Sequence, residues 1–203
     1  LRLNPVHSSV MSKKILVILG QPQRHSYGGA LAKAYADGAR AAGADVKELY
    51  LGDLKFDPLS TPTLTHPTEL EPDLKAAQEA IKWADHLVFV YPIWWGTIPA
   101  LLKGFIERTF LPGFAVHFHE HSIWWDKLLT GKSARLIVTL NTPSWYYRWV
   151  LGRPGHNTMK KTILEFCGVR PVRITEIGPI RGSTEEKRKG WIEKVRRLGS
   201  QLA

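Results

Sequence analysis

The chain has 203 residues, of which 44% are hydrophobic and 23% charged, with a net charge of +10 and a pI near 9.8. These values are typical of one globular domain with a buried core, and no run approaches the roughly 18 uninterrupted apolar residues of a membrane helix. The single cysteine, Cys167, excludes an internal disulfide, and the first ten residues lack the layout of a signal peptide. We therefore expect a soluble, cytoplasmic protein.

Short apolar runs alternate with amphipathic segments along the chain. The runs indicate buried strands, and in chain order they are Lys14–Leu19, Asp45–Leu51, His86–Tyr91, Ala134–Leu140 and Val172–Ile177. The segments between and after them have helical spacing, and they are 30–43, Pro72–Trp83, Pro99–Phe110, Thr158–Phe166 and a last helix opened by Ser183 and Glu186. The Pro- and Thr-rich stretch Asp57–Pro67 is predicted to be a loop.

Strands that alternate with helices indicate a parallel sheet with helices on both faces. We predict an α/β, three-layer, flavodoxin-like fold whose five-stranded parallel sheet has the order 2-1-3-4-5. Residues 13–203 form this single domain, and residues 1–12 are expected to be disordered or foreign to the natural chain, because Met11 has the look of a natural start.

The predicted strand order places a ligand at one edge of the sheet. Ligands of such folds bind beyond the carboxyl ends of the strands, where the strand order reverses, here between the first and third strands. The loops that leave these two strands are GQPQRHSYGG (20–29) and PIWWGTI (92–98).

The first of these loops suits a phosphate group. His25, Ser26 and the backbone N–H groups of Tyr27 to Gly29 stand just before a helix, and a helix N-terminus attracts anions. Gly28 and Gly29 let a ligand approach the backbone closely. The alternative is an ordinary capped turn between a strand and a helix.

The second and third loops suit a flat heteroaromatic ring. Trp94 and Trp95 offer flat apolar walls, and we expect one of them to pack into the core and the other to line a cavity. The loop that follows the fourth strand, 139–157, adds polar groups and a cluster of aromatic residues. It is interpreted as a site wall or a subunit interface.

The segment YPIWWGTIPALLKGFIERTFLPGFA (91–115) resembles the strand–loop–helix signature of the NAD(P)H:quinone reductases of flavodoxin-like fold. That family also contains modulators of drug activity and ancillary proteins of potassium-efflux systems. The resemblance extends from Lys13 to about Leu198. It implies a homodimeric flavoprotein, with FAD favoured over FMN, that takes hydride from NADH or NADPH. By a ping-pong mechanism it would pass two electrons to quinones or similar flat acceptors.

The resemblance also implies roles for individual residues. The implied flavin-binding residues are Gln21, His25, Ser26, Tyr27 and Gly28 for the phosphate and ribityl chain, Pro92, Ile93, Trp94 and Trp95 along the isoalloxazine, and Thr139, Leu140, Asn141 and Thr142 around the ring. Tyr147 and His156 are the candidate catalytic residues, which would stabilise charge on the reduced flavin. The chain departs from the family at Gln21, where the quinone reductases often have His, and at Asn141 and Thr142, which replace glycines.

Other functions compete with this interpretation. A flavin-carrying ancillary subunit of a potassium-efflux antiporter is the main alternative, whereas a flavodoxin-type electron carrier would typically be acidic. No nucleic-acid-binding motif is recognisable despite the basic charge. His117, His119 and His121 in HFHEH have alternate spacing and could bind a metal, but loop or subunit contacts explain them better, and no metal is predicted. Cys167 is expected to be a buried packing residue.

Overall fold

The structure is a computed structural model that describes residues 12–59 and 69–202. Most of the predicted loop at 57–67, and all of the predicted N-terminal segment except Ser12, lie outside the described residues. In chain order the elements are β1 (Lys14–Leu19), α1 (Tyr27–Ala41), β2 (Asp45–Tyr50), α2 (Pro72–Trp83), β3 (His86–Pro92), α3 (Ala100–Thr109), β4 (Val116–Phe118), β5 (Trp125–Lys127), β6 (Ser133–Thr139), α4 (Ser144–Trp149), α5 (Pro154–Asn157), β7 (Val172–Ile177) and α6 (Glu185–Ser200).

The main sheet has five parallel strands in the order β2-β1-β3-β6-β7. The extra strands β4 and β5 form a separate antiparallel hairpin, so the main sheet has the predicted 2-1-3-4-5 order. The predicted flavodoxin-like topology is confirmed. All five strands present their carboxyl ends at one edge, which we call the carboxyl edge, and their amino ends at the opposite, amino edge.

Alternate residues of the strands pack into two separate hydrophobic cores, one on each face of the sheet. Ile15 and Val17 of β1 pack with α1 and α6 on one face, whereas Leu16 and Ile18 pack with α2 and α3 on the other. Because side chains alternate along a strand, one continuous apolar run serves both faces. This is the three-layer arrangement that the strand–helix alternation predicts.

Two glycines let α1 and α6 approach closely. A Cβ atom at Gly38 would lie 2.0 Å from the carbonyl oxygen of Arg196, and one at Gly199 would lie 2.2 Å from that of Tyr35. Larger residues would therefore force the two helices apart. The C-terminal helix is fixed in this way above the first strand.

The local predictions needed two corrections. The last helix begins at Glu185 with Thr184 as its N-cap, because the Thr184 hydroxyl accepts from the N–H of Lys187 at 3.2 Å. The predicted cap Ser183 instead donates to the carbonyl of Ile180 at 2.6 Å. In addition, the predicted helix at 158–166 is a π-helical segment, Thr158–Leu164, that continues from α5. None of the described helices is long and apolar enough to cross a membrane.

His86 at the start of β3 makes stability depend on pH. Its side chain is 1% exposed, and burial, together with nearby cations, lowers its pKa to about 3. In the unfolded chain this histidine becomes protonated near pH 6.5, whereas in the folded chain it stays neutral until a much lower pH. The free energy of unfolding therefore falls as the pH decreases below about 6.5. We expect a loss of about 2 kcal/mol by pH 5, at roughly 1.4 kcal/mol per pH unit.

Urea unfolding at pH 7 and pH 5 measures this effect. The pH-dependent loss should be smaller in His86→Gln by about that amount, whereas His117→Gln, which changes an exposed histidine, should follow the unsubstituted protein. An equal loss in His86→Gln and in the unsubstituted protein would refute the assignment.

Candidate functional site

The loop after β1 is built tightly around the N-terminus of α1. Ser26 caps the helix, with its hydroxyl oxygen accepting from the N–H of Gly29 at 3.1 Å. The buried Gln21 amide donates to the Ser26 hydroxyl at 2.5 Å and to the Gln23 carbonyl at 3.0 Å. Gln21 therefore shapes the loop from inside.

Glycine is required where this loop meets the helix. A Cβ atom at Gly29 would lie 1.9 Å from the backbone oxygen of Arg24, and one at Gly28 would lie 3.1 Å from Oε1 of Gln21. The N–H groups of Tyr27 and Gly28, in the first helical turn, have no partner among the described residues. These donors and the positive end of the helix dipole suit a phosphate group.

A cavity of about 750 Å³ adjoins this loop. His25, Ser26 and Tyr27 line it together with Arg24 and the outer side of α1 and β2. The Arg24 guanidinium lies 4.0 Å from the centre of the Tyr50 ring and 3.3 Å from the Asp53 carboxylate. The cavity thus combines basic, aromatic and acidic groups beside the helix N-terminus.

The loop after β3 turns sharply at the two tryptophans. Trp94 and Thr97 exchange two backbone hydrogen bonds of 3.0 Å, and between them Trp95 and Gly96 both have positive φ, 50° and 79°. This pattern is that of a type I′ turn, which is unusual for a tryptophan at its first central position. Trp94 is 44% exposed and Trp95 is fully exposed. The prediction that one of them packs into the core is therefore wrong, because both lie in a tight turn beyond the end of β3 and neither ring is buried.

Trp94 lies between two cavities. One, of about 140 Å³, is lined by Pro92, Ile93, Trp94, Thr139, Leu140, Asn141 and Ile180 and is called the ring cavity here. The other, of about 450 Å³, is called the outer cavity and is lined by Trp94, Trp95, Thr97, Ile98, Pro99, Ala100, Lys103 and Thr158. Six of the predicted binding residues thus meet in the ring cavity, while Trp95 faces only the outer one.

The two loops of the ring cavity are joined by backbone pairing. The N–H of Ile93 donates to the carbonyl of Thr139 at 2.7 Å, which extends the β3–β6 ladder past its last pair. Thr142, although next to this cavity in sequence, is not among its lining residues.

The loop after β7 also belongs to the site, and sequence reasoning missed it. Ile180 lines the ring cavity and donates its N–H to the carbonyl of Leu140 at 3.1 Å. The N–H of Arg181 donates to the Asn141 side-chain oxygen at 2.9 Å. The predicted strand order could have indicated this loop, because β7 lies next to β6 and ends at the same carboxyl edge.

Tyr147 holds two loops of the site together. Its side chain is fully buried, and its hydroxyl donates to the carbonyl of Gly96 and accepts from the N–H of Gly155, both at 3.0 Å. Burial raises the pKa of this phenol, so it stays protonated. In this structure the hydroxyl connects the tryptophan turn to α5.

His156 packs edge-to-face against Tyr147, with 5.1 Å between the ring centres. Its Nε2 atom lies 2.9 Å from Oε1 of Glu176, whereas the buried Nδ1 atom has no partner among the described residues. Burial lowers the pKa of His156, and the Glu176 carboxylate opposes that shift. The ring is therefore neutral at pH 7, with Nε2–H donating to Glu176. Sequence reasoning did not identify Glu176.

The histidines of HFHEH and the single cysteine lie outside the cavities at the carboxyl edge. In the part of the chain that the structure describes, no group of three or more His, Cys, Asp or Glu side chains could hold a metal ion. His117 is exposed on β4, and His119 lies 3.2 Å from the Asp126 carboxylate. Cys167 is 4% exposed, and burial raises the pKa of its thiol to about 11, so it is an unreactive packing residue as predicted.

Comparison with known proteins decides the family. A family model described as "Flavodoxin-like fold" matches residues 13–202. The chain belongs to this family. The sequence-based recognition of flavodoxin-like NAD(P)H:quinone reductases is confirmed, because the curated relatives include proteins named NAD(P)H dehydrogenase [quinone] and ribosyldihydronicotinamide dehydrogenase [quinone].

Three similar proteins illustrate the relationship. Human ribosyldihydronicotinamide dehydrogenase [quinone] is 27% identical over 89% of this chain and 87% of its own. The ribosyldihydronicotinamide dehydrogenase-like protein traD of Penicillium crustosum is 32% identical over 152 residues. The matched segment is 63% of this chain and spans 57% of that protein. The crystal structure of Smu.1420 from Streptococcus mutans UA159 is 31% identical, with a TM-score of 0.81 and coverage of 93% of this chain and 99% of its own.

Proposed function

We propose that this protein is a flavin-dependent NAD(P)H oxidoreductase that transfers two electrons to quinones or similar flat acceptors. The observation that carries the proposal is the ring cavity, where the loops after β3, β6 and β7 meet at the carboxyl edge beside an aromatic turn. Ligands of doubly wound folds bind at this edge. The names of the relatives point to the same chemistry.

The residues present fit a flavin. The free N–H groups of Tyr27 and Gly28 and the side chain of His25 would hold its phosphate, and Gly29 leaves the room that the loop needs. The ring cavity, with Trp94 on one wall and Asn141 on another, would receive the isoalloxazine. A bound flavin would supply hydride acceptance from NAD(P)H and two-electron reduction of the acceptor.

FAD is proposed as the form of the flavin. The family resemblance favours it, and the cavity of about 750 Å³ beside His25 has room for the adenylate half that FMN lacks. Arg24 would contribute positive charge for the second phosphate, and the Tyr50 ring offers an aromatic surface.

The outer cavity would hold the nicotinamide and the acceptor in turn. It is open beside Trp94 and Trp95, and its lining is mainly apolar. One slot that serves both substrates predicts ping-pong kinetics. The net charge of +10 would attract the negatively charged NAD(P)H.

Tyr147 and His156 do not line the ring cavity or the outer cavity, but Tyr147 contacts the loop after β3, which lines both. Tyr147 positions the tryptophan turn, and Glu176 orients the neutral His156. Their predicted role in stabilising charge on the reduced flavin is part of this proposal.

A homodimer is proposed as the functional unit. Its proposed location is the cytoplasm. Support comes from the exposed rings of Trp145 and Trp149 on α4 and from a cavity of about 330 Å³ between α3 and the π-helical segment. Apolar side chains such as Phe110, Phe118 and Ile163 line that cavity. Exposed apolar surfaces of this kind typically become covered in an assembly.

Oxidation of NADH and NADPH by the purified protein, with menadione as acceptor, tests the enzyme proposal. We expect flavin-dependent turnover with parallel lines in double-reciprocal plots, and mass spectrometry of the released cofactor should identify FAD. Turnover no faster than with free flavin would refute the enzyme proposal and favour the ancillary role in potassium efflux.

The two tryptophans should have separable effects. Because Trp94 lines both cavities, Trp94→Ala should weaken flavin binding about tenfold or more. Trp95 faces only the outer cavity, so Trp95→Ala should leave flavin affinity within about twofold and raise the KM for the acceptor. Flavin titration by fluorescence and steady-state kinetics measure the two effects, and equal losses of flavin affinity would contradict the assignment.

A further inference from the structure

A further cavity lies at the amino edge of the sheet, opposite the proposed flavin site. Its volume is about 240 Å³, and its lining residues are Lys13, His86, Ser133, Ala134, Pro171 and Arg173. Several of these residues stand at or just before the starts of β1, β3, β6 and β7. A strand of seven residues is roughly 23 Å long, so this cavity is separate from the ring cavity.

His86 brings a buried polar group without a partner to this cavity. Its side chain is 1% exposed, its Nδ1 atom lies 2.7 Å from the Ser133 hydroxyl, and its buried Nε2 atom has no partner among the described residues. When the Ser133 hydroxyl donates to Nδ1, the neutral ring carries its proton on Nε2. An N–H donor is then left over, and buried donors are normally paired.

Positive charge surrounds this imidazole. Lys13, Arg135 and Arg173 all act electrostatically on His86, and no carboxylate is among the residues that line the cavity. The Lys13 ammonium donates to the carbonyl of Leu202, and Arg135 donates to the Thr175 hydroxyl at 2.9 Å. Arg173 lines the cavity and forms no ion pair with any of the described residues. The Asp85 carboxylate at this edge accepts from the N–H of Lys14 at 3.0 Å and is not part of the cavity lining. Cations that converge on a cavity lined by no carboxylate favour the binding of an anion.

We propose that this cavity is a binding site for a small oxyanion of the phosphate class. Arg173 and Lys13 supply the charge, Ser133 supplies a hydroxyl, and His86 supplies the unpaired N–H. The volume is several times the roughly 30 Å³ of a water molecule, which leaves room for a tetrahedral anion and part of an attached group. The proposal does not depend on the flavin site.

Isothermal titration with sodium phosphate, at constant ionic strength in a buffer without oxyanions, tests the site. Arg173→Gln removes the exposed arginine from the rim, and Lys55→Gln is the matched control because it removes one exposed charge beyond the carboxyl end of β2. Ser26→Ala perturbs the other candidate phosphate site, at the N-terminus of α1. We expect saturable binding that is unchanged in Lys55→Gln and Ser26→Ala and at least fivefold weaker in Arg173→Gln.

Three results would overturn the proposal: no saturable binding, equal weakening in Arg173→Gln and Lys55→Gln, or weakening in Ser26→Ala alone. A parallel titration with phenyl phosphate distinguishes the source of the ligand. Tighter binding than that of inorganic phosphate would identify a phosphate ester, and equal or weaker binding would identify free phosphate.

Discussion

Gly29→Ala is expected to reduce flavin affinity by at least tenfold and to lower the free energy of unfolding by about 3 kcal/mol. The added Cβ atom would lie 1.9 Å from the Arg24 carbonyl oxygen, which is a backbone atom of the loop 20–29 and cannot turn away as a flexible side chain could. The loop must then move away from α1, which displaces the N–H groups of Tyr27 and Gly28. Fluorescence titration with FAD and urea unfolding measure the two effects.

Two further glycine variants make this test specific. Gly28→Ala should have a smaller effect, because its Cβ atom would meet only the side chain of Gln21, at 3.1 Å. Gly190→Ala in the exposed part of α6 meets nothing within 4 Å and should stabilise the protein by about 0.5–1 kcal/mol. A folded Gly29→Ala protein that binds FAD as well as the unsubstituted protein would show that this loop does not hold the flavin.

Tyr147→Phe is expected to destabilise the protein by about 1–3 kcal/mol and to weaken flavin binding. The substitution removes the hydroxyl that links the carbonyl of Gly96 to the N–H of Gly155, in a place where water cannot replace it. The Gly155 N–H keeps only a longer bond of 3.3 Å to the Gly96 carbonyl. The tryptophan turn should therefore become more mobile.

Tyr146→Phe is the matched control, because it removes a hydroxyl from the adjacent tyrosine, whose side chain is 39% exposed. This substitution should change the free energy of unfolding by less than about 0.5 kcal/mol. Gly155→Ala is a second probe of the same contact. Its Cβ atom would lie 2.9 Å from both the Tyr147 hydroxyl and the Ile93 side chain. Equal stabilities of Tyr147→Phe and Tyr146→Phe would show that the hydroxyl does not support the turn.

Most of the fold was predictable because its signals are local. The runs of β1, β3 and β6 are largely apolar and almost wholly buried, since both faces of a parallel sheet are covered, and the intervening segments have helical spacing. The cap of α6 was misplaced by one residue because Ser183 and Thr184 are both suitable N-caps. Only the backbone direction decides which hydroxyl reaches the helix.

The candidate site was predictable in part. Pro92, Ile93, Trp94, Thr139, Leu140 and Asn141 meet in one cavity because parallel strands end at the same edge. The contributions of Ile180 and Glu176 were missed, since their segment has no motif and acquires its role through pairing with β6. The exposure of both tryptophans was also missed, because it depends on the positive φ of Trp95.

The sequence by itself determined the positions of the strands and helices, because hydrophobic periodicity is a local property of the chain. Their regular alternation then indicated the strand order, and with it the edge at which a ligand binds and the loops that face it. Only the tertiary structure decided how the side chains are used. Tyr147 bridges two backbone segments 51 and eight residues away in sequence, and His156 is oriented by a glutamate from the next strand. Such pairings depend on distances between elements that the packing of the two cores sets.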